Sequence, residues 1–207
     1  MQKLNHIGVY NEKIPEDLFK LLKQEVFFLK DKILMKDKLA GNIKEEYLLT
    51  HLEPLAEKTN YYLLSLINKS EHAQRILKKE ITRFKNLNYP NISLDKLWVN
   101  FQKKHEFNPF HEHSGLFSFI IFLKIPYDLK EELEKGPGAN SNNNLSSVLQ
   151  FFVTGIDGRV THHDVLVDKS FEGGIYFFDA RLNHCVNPFY TSDDYRITVS
   201  GNLSWTI

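Results

Sequence analysis

NPFHEHSGLFSFIIFLKIP, residues 108–126, holds a fold signal and a chemical signal side by side. The apolar run from Leu116 to Ile125 is rich in Phe and Ile and is bounded by Gly115 and Pro126, which marks a buried β-strand. Just before it stand His111 and His113. Alternate side chains of an extended chain share a face, so these two imidazoles project to one side and Glu112 to the other. The pair is ready to hold one metal ion, and the same H-x-H spacing also fits histidines that are only hydrogen-bonded or exposed.

Outward from this stretch, everything after Trp98 breaks into short β-rich pieces separated by turn residues: WVNFQ, SVLQFFVTG, RVTHHDVLVD, GGIYFFD, HCVNPFY and YRITVSGNLSWTI. With no helical pattern between them, they suggest an antiparallel sandwich or roll in place of βαβ units. The Gly-, Asn- and Ser-rich residues 134–147 interrupt the series as a long, mobile loop of the kind that forms lids or is simply disordered.

The first half is read as helical. Leu18, Leu22, Val26, Leu29 and Ile33 make one apolar stripe, with Pro15 suited to a first turn. After the break at 40–42 a second stripe runs through Leu55, Thr59, Tyr62, Leu63 and Leu66, and a third through Ala73, Leu77, Ile81 and Phe84. The expected architecture is α+β and mainly β. A helical layer over residues 1–97 packs on one face of a β core over 98–207, the whole being one structural domain.

Charge and composition narrow the function. Lys plus Arg total 26 and Asp plus Glu total 26, so no net field draws the chain to nucleic acid or anionic lipid. No apolar run approaches the roughly 20 residues that cross a bilayer. The single Cys185 forms no internal disulfide, and the start lacks signal-peptide sections, which favours a cytoplasmic location.

Six of the nine histidines lie beyond residue 100. His184, after a Gly-Gly turn and an apolar strand, is the best candidate for a third ligand. Twelve residues further on, Arg196 and Thr198 share one face of the strand YRITVSG. A buried guanidinium calls for an anion, either a ligand carboxylate gripped by its planar fork or an Asp or Glu of the protein itself.

Taken in order, WVN (98–100), HEH (111–113), Ser118, GGIYFFD (173–179), HCVNP (184–188) and RITVSGN (196–202) resemble the Fe(II)- and 2-oxoglutarate-dependent oxygenases, especially a small bacterial and phage-type group with an H-x-H…H…R pattern. The resemblance covers about residues 98–207, with a looser likeness of residues 39–49 to the helical lead-in of such proteins. It implies a double-stranded β-helix, a jelly roll of cupin type. It implies Fe(II) held by His111, His113 and His184, and 2-oxoglutarate held by Arg196 and Thr198, with Asn100, Ser118 and Asn202 lining the pocket. Dioxygen and an unidentified organic substrate would be the partners, and hydroxylation with release of succinate and carbon dioxide the reaction.

The sequence departs from the superfamily's usual two histidines and one carboxylate, because His113 stands where the acid is expected. Glu112 would restore a carboxylate only if the chain were not extended. His162 and Asp164 form a literal H-x-D, but only twenty residues separate Asp164 from His184. Two other functions follow from the same residues. One is a three-histidine, cupin-like iron dioxygenase that needs no 2-oxoglutarate, with Arg196 binding the substrate's own carboxylate. The other is a non-catalytic β-roll binding protein.

Overall fold

The computed structural model describes residues 1–35, 39–82 and 91–206. Two antiparallel sheets face each other. In the larger, the order is β1 (Tyr10–Lys13), β8 (Gly174–Asp179), β5 (Phe117–Lys124), β10 (Arg196–Thr206), β3 (Asn91–Gln102) and β2 (Glu45–Leu48). In the smaller it is β4 (Asn108–His111), β9 (His184–Val186), β6 (Leu149–Thr154) and β7 (Val160–Val165). This is the jelly-roll architecture expected from the strand series, and the LFSFIIFLKI run is its central β5, buried over seven of eight residues.

Period-2 alternation sorts the side chains of the large sheet into two cores. Leu97, Val99, Phe119, Ile121, Phe177 and Val199 point outward and meet the helices. Ile120, Phe122, Tyr176 and Phe178 point inward and meet Leu149, Phe151 and Val165 of the small sheet. Each such fully buried side chain contributes roughly 1.5–3 kcal/mol. The inward face of β10 and β3 is different, since Arg196, Ser200, Asn202, Asn100 and Gln102 are all buried polar residues. That polar strip between two apolar cores is where the chemistry sits.

Three helices cover the outer face as the apolar stripes predict. They are α1 (Glu16–Phe27), α2 (Leu55–Lys69) and α3 (Glu71–Ile81), and Ser70 Oγ caps α3 by accepting from Ala73 N–H at 3.2 Å. Leu18, Leu22 and Val26 are buried, but α1 ends before Ile33, which is exposed. Residues 33–35 are claimed instead by backbone pairing with β2: Met35 N–H donates to Glu46 O and Leu48 N–H to Ile33 O, both at 2.8 Å. Phe84, the last expected position of the third stripe, lies outside the described residues.

Residues 45–48, within the segment that resembles a helical lead-in, form the edge strand β2, and β1 caps the other edge. So the first half supplies two strands of the sheet besides its helices. Both are four residues long and mostly polar, YNEK and EEYL, too short for a periodicity to show.

The segment expected as a mobile loop begins inside a short helix, α4 (Leu129–Lys135), and is tied down at both ends. Asn144 Nδ2 donates to Leu133 O at 2.8 Å, and Ser146 and Ser147 are buried. The carboxylate of Glu132, 0 % exposed, accepts from Tyr190 N–H and Thr191 N–H. Glu132→Ala is expected to lower unfolding stability by about 3 kcal/mol, since two backbone donors would be left buried without an acceptor. A urea titration of the variant against wild type reads this directly.

Candidate metal centre

His111 ends β4 and His184 begins β9, and the two stand directly opposite in the ladder. His113 follows two residues after the strand ends, held by its own N–H on Ala180 O at 2.8 Å. The turn that follows needs Gly115: its φ is 106°, and a Cβ there would lie 2.8 Å from Leu203 O. Ring centroids are 4.3 Å apart for His111–His184, 4.9 Å for His111–His113 and 5.1 Å for His113–His184. Their ligand-capable nitrogens all lie within 4.8 Å of one another.

Backbone carbonyls orient two of the rings. Nδ1 of His111 lies 2.6 Å from Pro109 O, and Nδ1 of His184 lies 2.9 Å from Leu182 O. A carbonyl only accepts, so Nδ1 carries the proton in each ring and the Nε2 lone pair is free for a metal. His113 rests against Trp98, with ring centroids 5.8 Å apart.

Burial lowers the affinity of all three rings for a proton. It holds His184, 2 % exposed, well below the usual imidazole range, helped by His111 and His113. His113 is pushed down to about 4 by burial, then by His111 and Lys96, and His111 is lowered by burial. Three neutral nitrogen donors converging on one point fit a divalent transition-metal ion, iron among them. No carboxylate joins them among the described residues.

These shifts fix a pH dependence for the metal-free protein. The unfolded chain takes up protons on these histidines below about 6.5 while the folded chain keeps them neutral, so stability falls as pH falls. For His113 the window runs from 6.5 down to about 4 and is worth on the order of 3 kcal/mol. Thermal melts of the apoprotein between pH 7.5 and 4.5 are expected to show a steady decline, and saturating divalent metal should delay it.

Arg196, 2 % exposed, lies deeper in the same interior. Its five N–H groups are all engaged by the protein. Nε and Nη2 donate to Gln102 Oε1 at 3.0 and 2.8 Å, and Nη2 also donates to Asn187 O at 2.8 Å. Nη1 donates to Tyr127 OH and to Ser147 O, each at 3.2 Å. The anion expected of a buried arginine is absent among the described residues, and neutral oxygens take its place. The narrow space in front of it, about 20 Å³, shares Asn100, Asn108, Ile120, Val186 and Ser200 with the cavity over the histidines.

The other expected pocket residues have separate partners. Asn100 Nδ2 donates to Thr198 Oγ1 at 3.1 Å and lines the cavities on both sides. Ser118 Oγ donates to Asn202 Oδ1 at 2.6 Å, so Ser118 steadies Asn202, which lines the cavity over the histidines. Glu112 borders that cavity outside the histidine cluster. His162 and Asp164 bond to each other at 2.8 Å on the outward face of the small sheet, opposite Gln150, while Phe151 pairs with His184 on the inward face. Alternation therefore keeps that literal H-x-D away from the metal centre.

The cavity over the three histidines has a volume of about 290 Å³. Glu46, Lys96, Trp98 and Asn108 line it as well, and of these only Trp98 stands in a motif the sequence offered, WVN. Trp98 was the one with a signal, being the aromatic two positions before Asn100 on the same strand face.

A jelly roll with three imidazoles converging inside one mouth has the donor set of a mononuclear non-haem metal centre. Residues 96–202 match the family described as putative 2OG-Fe(II) oxygenase, just over half of the chain, and the chain belongs to that family. Comparison with curated proteins finds no match. Among solved structures the chain is similar to a Pseudomonas putida prolyl-4-hydroxylase, at 16 % identity over 96 % of this chain and 91 % of that one, TM-score 0.51. It is also similar to HygX from Streptomyces hygroscopicus, at 12 % identity over 97 % and 84 %, TM-score 0.54. An oxidoreductase of the 2OG-Fe(II) oxygenase family from Burkholderia pseudomallei gives 13 % identity over 97 % and 86 %, TM-score 0.51. At these identities the likeness is one of fold. Among the described residues no helix is long and apolar enough to cross a membrane.

Proposed function

We propose that the protein is a three-histidine Fe(II) oxygenase that acts on a small organic substrate without 2-oxoglutarate. The observation that carries the reading is the donor set, three neutral imidazoles with no carboxylate among the described residues. Arg196 supports it, because every guanidinium N–H already has a protein acceptor. A diacid would have to displace Gln102 to reach the guanidinium fork.

Iron bound at this site would supply activation of dioxygen. The chain supplies the rest. Backbone carbonyls fix the ring orientations of His111 and His184, Trp98 shields His113, and the asparagines of β3 and β10 present polar groups to whatever occupies the cavity.

The buried charge of Arg196, with no carboxylate beside it among the described residues, favours a second reading in which 2-oxoglutarate does enter. Anaerobic loading with Fe(II) followed by 2-oxoglutarate separates the two. The proposal expects no visible charge-transfer band and, in air, no succinate above a metal-free control. A band that saturates at one equivalent per chain, with succinate formed in step, would overturn it.

A further inference from the structure

Glu46 lies on the inward face of β2, opposite Asn100 of β3, and is 1 % exposed. It nevertheless lines the cavity that holds the three histidines, and its Oε2 is buried without a hydrogen-bond partner. An unpaired buried carboxylate oxygen is costly, roughly 1–3 kcal/mol or more, and because Oε2 is closed off even from water, it is through Oε1 that the group can meet a donor in the cavity. The chain is shaped around it: a Cβ at Gly41 would overlap Asn108 Oδ1 and crowd Glu46 Oε1 at 2.9 Å. Burial, and after it the charge of Glu106, pushes the Glu46 carboxyl up to about 7, so a cationic partner would draw it back to the ionised form.

The same cavity has a positive end. Lys96 lines it from β3, four residues before Asn100 and on the same face, and makes no ion pair among the described residues. Four residues of strand separate the two charged positions by about 13 Å of backbone. Trp98 lies between them and packs on His113, giving a flat apolar wall beside the metal centre. A negative end, a positive end and an apolar middle next to the histidines describe a ligand with the complementary order.

We propose that the cavity binds an amino acid whose ammonium lies several bonds from its carboxylate, the ammonium at Glu46, the carboxylate at Lys96 and the methylene chain along Trp98. The inference rests on the oxygenase reading above, because that arrangement sets methylene groups beside the three histidines. An α-amino acid without a second ammonium would satisfy only one end.

The test uses the metal-loaded full chain and three probes, with calorimetry under anaerobic conditions: L-lysine, L-norleucine, which lacks the side-chain ammonium, and cadaverine, which lacks the carboxylate. Wild type is expected to bind L-lysine at least about tenfold more tightly than either. Glu46→Gln should erase the preference over norleucine, and Lys96→Met the preference over cadaverine, while bound metal stays at one per chain in both. Equal binding of the three probes, no binding of any, or a preference that survives both substitutions would overturn the proposal. Metal content is read in the same samples: loss of metal from wild type would count against the histidine centre, whereas full metal with no discrimination would count against this ligand alone.

Discussion

His184→Ala is expected to abolish specific metal binding, with affinity for a divalent ion falling by well over 100-fold. His184 is the most buried of the three rings and faces His111 across the β4–β9 ladder, so its loss leaves two donors at the mouth and none at the back. Removing a group that merely orients a ligand costs about 10- to 100-fold, and removing a ligand must cost more. The apoprotein should lose about 2–4 kcal/mol from the cavity left behind, which still permits folding. A second signature follows from the sign of its proton affinity. With one depressed imidazole gone, the metal-free variant should lose less stability than wild type as pH falls below 6.5. Metal retention with an unchanged pH profile would mean that His184 is only a core residue.

Arg196→Met is expected to destabilise the protein by about 3–5 kcal/mol and to leave Fe(II) binding intact. Gln102 Oε1, Tyr127 OH, Ser147 O and Asn187 O would lose their donors together, and these groups belong to four separate parts of the chain. Arg196→Lys keeps the charge but replaces five donors in a fixed fork by three on a flexible stem, so it should recover only part of the loss. Chemical denaturation of both variants, with metal content measured alongside, gives the comparison. If instead stability hardly changed and 2-oxoglutarate binding weakened, Arg196 would be a cosubstrate clamp and the reading without 2-oxoglutarate would fall.

Much of this was legible because it depends on local periodicity. Strand alternation placed His111 opposite in sense to Glu112 and put Arg196 and Thr198 on one inward face. The apolar run of β5 and the three helical stripes are long enough for burial to write itself into the pattern. Glu46 and Lys96 were not legible for the converse reason. Glu46 sits in a four-residue edge strand whose pairing with β3 is set by residues far away in sequence, and a buried glutamate looks the same in a sequence as a solvated one. Arg196 shows a subtler limit. Its burial was foreseeable, but its acceptors are two backbone carbonyls, an amide and a phenol, and backbone carbonyls have no residue code. The pinning of residues 134–147 likewise turns on Glu132 reaching backbone groups at Tyr190 and Thr191 across the fold.

X-ray absorption at the iron edge of protein loaded anaerobically with one equivalent of Fe(II) tests the central claim most directly. The account predicts a light-atom shell with the outer-shell scattering of three imidazoles, falling to two or to no bound iron in His184→Ala. Iron held with one imidazole or none, or a spectrum unchanged by that substitution, would contradict it.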